Sequence, residues 1–157
     1  MNAVVESVRS LWLPLEGINL MLPNVAVAEV INYQPLDMVE NGPHWLLGVV
    51  RWRERQLPVI AVEGICGFGL PRQEESPRLS VLNSVLPDSD LPFYVMVTTG
   101  IPRLVIADEE ALGESVLAGK QFPETVADVV TIGSENALIP NLEAIQLLVE
   151  KAWRDCR

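Results

Sequence analysis

Apolar residues come in short runs, many of them alternating with polar positions, and the runs are cut by Gly, Pro, Asn and Asp. That pattern predicts short strands joined by turns rather than helices. The predicted strands are Leu11 to Leu15, Asn19 to Pro23, Ala26 to Asn32, Gly48 to Trp52, Leu57 to Val62, Leu79 to Leu86, Phe93 to Thr99, Arg103 to Ala107, Asp128 to Ile132 and Ala137 to Ile139. Val and Ile supply 30 residues, and 12 prolines break the chain too often for long helices, because each lacks a donor and clashes with the turn before it. The expectation is an all-β fold.

The exception is the end of the chain. Leu142, Ile145, Leu148, Val149, Ala152 and Trp153 recur at helical spacing after Asn141, a good N-cap, with Glu143 in the first turn and Lys151 and Arg154 near the last. The apolar stripe of this helix either covers an open barrel end or meets a partner. A shorter helical turn is predicted over Pro43 to Leu47, opened by Pro43 and closed by Gly48. Gln73 to Pro77 and Pro87 to Pro92 read as loops. One internal echo bears on architecture: Val49-Val50-x-Trp52, a polar tip and Leu57-Pro58-Val59 are matched about 80 residues later by Val129-Val130-x-Ile132, a polar tip and Ala137-Leu138-Ile139. Two related hairpins, one in each half, point to two small barrels rather than one sandwich.

At 157 residues the chain is large enough to bury a core without disulfides or a structural metal. Its formal charge of −10 is the wrong sign for binding phosphate backbones, so nucleic acid is not expected as a partner. No apolar run approaches a spanning helix, and Glu6, Arg9 and Glu16 interrupt the start, so neither membrane insertion nor a signal peptide is read. Cys66 and Cys156 form no C-x-x-C motif and suit free thiols in a reducing cytoplasm.

Candidate chemistry is sparse. The single imidazole, His44, sits in a Gly-Pro-His-Trp turn, and one His with two distant Cys cannot make a tetrahedral metal site. Gly113 to Lys120 has one residue too many for a phosphate loop and Gln121 where Ser or Thr belongs, while Gly64-x-x-Gly67-x-Gly69 reverses the dinucleotide fingerprint. No catalytic residue, metal or cofactor is assigned. Asp108-Glu109-Glu110 and the other carboxylates keep a small acid-based hydrolase, with a site between the barrels, as the alternative. A protein that acts by binding is the main reading.

A binding surface is visible in Arg51-Trp52-Arg53-Glu54-Arg55, a cationic tip on an acidic protein. Alternation sets Trp52 opposite Arg51 and Arg53, and guanidinium groups suit carboxylates and interfaces. The stretch Leu47-Gly-Val-Val-Arg-Trp-Arg53-Glu-Arg-Gln-Leu-Pro-Val-Ile60 resembles the G-[VI]-[IV]-N-L-R-G-x-[VI]-[LI]-P-[VI]-[VI]-D-L segment of CheW-like coupling proteins of bacterial chemosensory systems. Upstream, Leu20 to Ile31 is similar to the family strand ending V-x-E-[IV], and the distance from Glu29 to Arg53 needs no gap. Downstream the similarity is one of pattern only.

The resemblance implies one cytoplasmic domain over residues 1–157, made of two interlinked five-stranded SH3-like barrels with a C-terminal helix. It also implies a non-enzymatic adaptor joining the helical tip of a chemoreceptor to the regulatory domain of a histidine kinase. Val27, Glu29 and Val30 then map to the strand lining the partner groove, and Arg51, Arg53 and Arg55 to the tip beside it; plain core packing is the other reading of Val27 and Val30. Four departures mark this chain. Arg51 replaces Asn, Trp52 replaces Leu, Glu54 replaces a Gly suited to a left-handed turn, and Ala61 replaces an Asp that could contact or cap. They predict a rebuilt turn and a divergent adaptor, similar to the ChpC kind that accompanies pilus-type chemosensory clusters. A module that competes for the kinase would need the same contacts.

Overall fold

The computed structural model describes residues 8–15, 18–68, 77–107, 113–114 and 122–156. Asp108-Glu109-Glu110, Gly69, most of the loop predicted from Gln73 and all but two residues of the Gly113 to Lys120 motif lie outside them. The described strands are β1 (Val8–Pro14), β2 (Asn19–Pro23), β3 (Val27–Asn32), β4 (Leu46–Trp52), β5 (Arg55–Ile60), β6 (Pro77–Asn83), β7 (Phe93–Thr99), β8 (Arg103–Ala107), β9 (Gly113–Glu114), β10 (Val126–Ile132) and β11 (Glu135–Pro140). Among the described residues two α-helices, α1 (Val62–Ile65) and α2 (Leu142–Asp155), each follow a hairpin, and a 3-10 turn over Asn24–Ala26 leads into β3.

The strands form two sheets, ordered β3-β6-β7-β5-β4 and β8-β1-β2-β11-β10-β9. Each has five full strands, as expected, and the second carries the two-residue β9 at its edge. The barrels are interlinked because β1 and β2 from the start of the chain pair with strands from its end, while the middle of the chain builds the other sheet.

The echo between the hairpins is a structural repeat. Adding 80 to the residues of β4–β5 gives those of β10–β11: bulges fall at Leu46/Gly48 and Val126/Asp128, and tip pairs at Trp52–Arg55 and Ile132–Glu135. Pro43 and Pro123 carbonyls each accept from the third residue on at 3.0 Å, and Trp45 and Thr125 carbonyls accept from Ala61 and Asn141 at 2.8 Å. β5 runs parallel to β7 as β11 runs parallel to β2. Carrying the register across gives Met21 the place of Val95 and Trp12 that of Val81.

Packing follows the same equivalence. Trp12, Met21, Val130 and Ala137 fill one barrel, and Trp52, Leu57, Val59, Leu79, Val81, Val95 and Val97 fill the other. Between them lies a third, larger core that includes Leu13, Leu20, Leu22, Ile60, Leu82, Tyr94, Met96, Leu138, Ile145 and Val149. Central strands such as β7 are therefore buried on both faces, which is why Tyr94 to Val97 is an unbroken apolar run.

Helix α2 closes this shared core. Asn141 Oδ1 caps it by accepting from the Ala144 amide at 3.1 Å, and Ile145, Val149 and Ala152 are buried beneath it. Its stripe thus covers the barrels, with two departures from the predicted set: Leu148 is exposed and Gln146 is fully buried. Gln146 is inward because it ties down residues 84–91, its oxygen accepting from the Val85 amide at 2.8 Å and its nitrogen donating to Ser84 Oγ and Ser89 Oγ at 2.5 and 3.1 Å. Ser89 Oγ also bonds the Glu150 carboxylate.

Three local expectations fail, one of them the strand predicted from Leu79 to Leu86, which stops at Asn83. Pro43 to Leu47 is a turn running into β4, not a helix, and Gly48 sits in the bulge, where a Cβ would meet the Asp37 carbonyl oxygen at 2.5 Å. The strand predicted from Leu57 to Val62 stops at Ile60, since Ala61 turns the chain into α1. Replacing Gln146 by Ala should lower stability by about 2–4 kcal/mol, because it strands buried donors and acceptors. Urea unfolding checks the loss, and limited proteolysis should place the first cut in residues 84–92.

Candidate partner-binding site

The β4–β5 hairpin turns through Arg53 and Glu54, whose φ angles of 45° and 65° are both left-handed. Two such residues make the tight turn whose twist matches that of the flanking strands. The turn is therefore not rebuilt around Glu54; Glu54 accepts a conformation that costs a non-glycine residue about 1–2 kcal/mol. The following polar tip, Gly133-Ser134, places glycine at its first position instead.

This turn also corrects the expected direction of Arg53. Its guanidinium folds back over the Trp52 indole, 4.4 Å from the ring centroid, instead of pointing to the opposite side. Trp52 is almost fully buried and lies edge-on to Phe93, with centroids 4.9 Å apart. Arg55 extends over Phe93 at 5.7 Å. Glu29 on β3 completes the cluster: one carboxylate oxygen accepts from Trp52 Nε1 at 3.1 Å, and the other lies 3.6 Å from an Arg53 nitrogen. Strands β3 and β4 are the two edges of their sheet, so this contact joins edge to edge where the barrel closes.

Of the residues read as partner-binding, the structure gathers Glu29, Arg53 and, through Phe93, Arg55. Arg51 is exposed one residue before Trp52, cross-strand from Gln56. Val27 is half-buried against the shared core, so core packing accounts for much of it, and Val30 is half-buried on the edge strand. Sequence reasoning did not assign Trp52 or Phe93 to the site. The available signal was the departure at Trp52, since indole supplies an N–H donor that leucine lacks. The departure at Ala61 also has a visible effect: α1 has no side-chain cap, whereas α2 is capped by Asn141 at the equivalent place.

The exposed carboxylate and guanidinium are screened by water, so the pair contributes little to stability. It is better suited to orientation, because the indole N–H holds the carboxylate in place and leaves the cation facing outward. Beyond Arg55 an open cleft of about 490 Å³ runs past Asp90, Leu91 and Pro92 to Trp153 on α2. It continues into a second of about 440 Å³ flanked by Asp88, Glu150 and Arg154. Polar and charged groups form most of the wall of this cleft. Its Glu150 is engaged by Ser89 and Gln146 in fixing the loop.

The remaining candidate groups stand apart from the cluster. His44 is exposed in its turn. Cys66 and Cys156 are free thiols. Burial pushes the Cys66 thiol up to about 11, with the Thr125 side chain working the other way and the Glu63 charge adding to the rise.

Paired barrels closed by a helix, with a charged and aromatic cluster on an edge, define a protein-binding scaffold domain. The CheW-like domain model matches residues 9–148, and the chain belongs to the CheW-like domain family. This is a non-enzymatic family of scaffolds in chemotaxis signalling, whose domains couple chemoreceptors and the CheA kinase. Among solved structures the chain is similar to the scaffolding protein TtCheW from Thermoanaerobacter tengcongensis. The two are 14% identical, the match covers 87% of this chain and 85% of that one, and the TM-score is 0.70, a likeness of fold. Comparison with curated proteins gives no match. No helix among the described residues is long and apolar enough to cross a membrane.

Glu54→Gly should raise stability by about 1 kcal/mol by relieving the left-handed strain, as read from urea unfolding. Cys66 should react with a thiol reagent at pH 8 roughly 100-fold more slowly than an ordinary free thiol, since the thiolate is the reactive form. The folded Cys66 thiol lies above its ordinary 9.0. Its contribution to stability is therefore complete below pH 9 and is lost as pH rises towards 11, which unfolding curves across that window should show.

Proposed function

We propose that residues 1–157 act as one cytoplasmic adaptor that joins the regulatory domain of a histidine kinase to the helical tip of a chemoreceptor. It carries signal through contact geometry, with no covalent step. The face formed by Val27, Glu29, Val30, Arg51, Arg53 and Arg55 is the partner surface. The observation that carries this reading is the Glu29 carboxylate held between Trp52 Nε1 and Arg53, which ties together the two segments that resemble the family motifs. An indole-braced ion pair on an edge strand keeps its geometry before a partner arrives, so less ordering is required on binding. Val25, exposed in the turn that leads into β3, offers apolar area to bury.

The branch is the pilus-type one. Arg51 and Arg53 give the tip two guanidinium groups where the Asn-Leu-Arg-Gly turn of the family pattern has one, with Glu54 offsetting the added charge, which suits a kinase or receptor that places a carboxylate opposite Arg51. Trp52 and Glu54 belong to the same local change, and the neighbouring genes would show whether pilus components accompany the chain.

Arg53→Glu should weaken binding to the kinase regulatory domain by at least about 1 kcal/mol, roughly fivefold, with little change in stability. Titration calorimetry against the kinase domain and a receptor-tip fragment, singly and together, makes the test. Formation of a ternary complex supports the connector. Mutually exclusive binding would turn the reading into a competitor, and an unchanged affinity of the Arg53 variant would remove this face from it.

A further inference from the structure

Strand β3 has two sides with different surroundings. Glu29 pairs across the sheet with Val81, a residue of the barrel interior, and its carboxylate meets Trp52 Nε1 at the barrel mouth. Alternation sets Val30 and Asn32 on the outer face. The register carries that face across the sheet: Val30 is followed by Ser80 and Met96, and Asn32 by Arg78 and Thr98. One end of the face is apolar, where Leu82, Tyr94 and Met96 join the shared core. The other end is polar and holds a cation.

That cation, Arg78, is unlike the other basic residues described. It is the one among them that is not exposed, and it forms no ion pair with any described residue, although the chain carries 21 acids. Its Nε is buried without a hydrogen-bond partner. Nη1 reaches the surface and donates to Asn32 Oδ1 at a long 3.5 Å. Thr98, cross-strand on the other side, is already engaged, because its hydroxyl and that of Ser80 bond each other at 2.9 Å in a buried pair. A guanidinium presents five donors and keeps its charge at any ordinary pH. Half-burial beside an amide and an occupied hydroxyl pair is therefore a costly setting for it. For folding alone, an apolar side chain of the same length would serve as well or better.

We propose that Arg78 is a docking point for a carboxylate on the helical receptor tip, which lies along the outer face of β3 beside Val30. The proposal rests on the reading that β3 lines a partner surface. Charge complementarity selects the occupant, because a guanidinium fork takes a carboxylate through two parallel bonds and supplies the acceptor that Arg78 lacks. Val30 and Arg78 are diagonal neighbours, roughly 7–8 Å apart between backbones. The matching helix thus carries its acid about one turn from the apolar residue that meets Val30. A helix with an apolar or basic residue in the acid's place would cover the guanidinium and leave it unpaired, so Arg78 also selects among receptors. Glu29 and Arg53 lie on the other side of the strand, which leaves them to the kinase domain while a receptor occupies Arg78.

Titration calorimetry of the full chain against the receptor-tip fragment and the kinase regulatory domain, paired with urea unfolding, tests this. Arg78→Met should weaken receptor-tip binding at least about tenfold and leave kinase binding unchanged. It should unfold at the same urea concentration as the wild type or a higher one, since it removes a stranded donor. Arg78→Lys should recover only part of the affinity, because it keeps the charge and loses the fork. Among receptor-tip fragments with one acid at a time changed to its amide, one should bind the wild type more weakly and Arg78→Met no differently. Full receptor affinity in Arg78→Met, or the absence of any such acid, overturns the docking point alone. A fall in the urea midpoint overturns it too, by making Arg78 a residue of the fold. A wild type that binds neither partner overturns the adaptor reading and the docking point with it.

Discussion

The shared core between the barrels is the constraint on which the rest of the molecule depends. Leu13, Leu20, Leu22, Leu82, Tyr94, Met96 and Leu138 are buried in it from both sheets, and α2 seals it with Ile145 and Val149. Each of these residues sits on a strand whose other face lines a barrel, so moving one barrel relative to the other would disturb two cores at once. Close-packed interiors resist such movement. The hairpin tips at Arg53–Glu54 and Gly133–Ser134 are therefore held at a set separation, as a scaffold that positions two partners requires.

On that rigid frame the site itself is modest. One carboxylate, two guanidinium groups and two aromatic rings make the cluster, and indole burial does most of the ordering: Trp52 fills the barrel with its ring while its N–H reaches the surface edge of β3. The two strained residues of the turn bring Arg53 back over that ring. Strain kept at an exposed tip fits a place where geometry matters more than stability. The sister barrel has glycine in its turn and an ion pair with the charges exchanged, Arg103–Glu135, whose guanidinium lies over the ring of Trp12.

Much of the architecture was legible from periodicity. Strand runs such as Phe93 to Thr99 and the capped helix after Asn141 stand where the pattern puts them, because apolar spacing reports burial directly. The 80-residue echo was legible because both hairpins bury the same positions. Less visible were features set by contacts distant in sequence. Gln146 looks like a surface residue on a helical wheel and is buried because residues 84–91 supply its partners. Pro43 and Gly48 resemble helix punctuation but serve a turn and a bulge. For the site, the link between Glu29 and Arg53 was readable from motif spacing, whereas Trp52 and Phe93 were not, since an aromatic residue in an alternating strand first reads as core. The Arg103–Glu135 counterpart needed the strand register to be seen at all.

The central claim is that this chain works by presenting a pre-ordered surface and changes no bond in its partners. Amide chemical-shift mapping of the labelled chain during titration with a kinase regulatory domain tests it most directly. The account predicts that the perturbed amides cluster on Val27–Val30 and Arg51–Arg55, while those of the shared core, such as Leu138 and Tyr94, keep their positions. Perturbations confined to the far side of the molecule, or spread through the core as the barrels move apart, would contradict it.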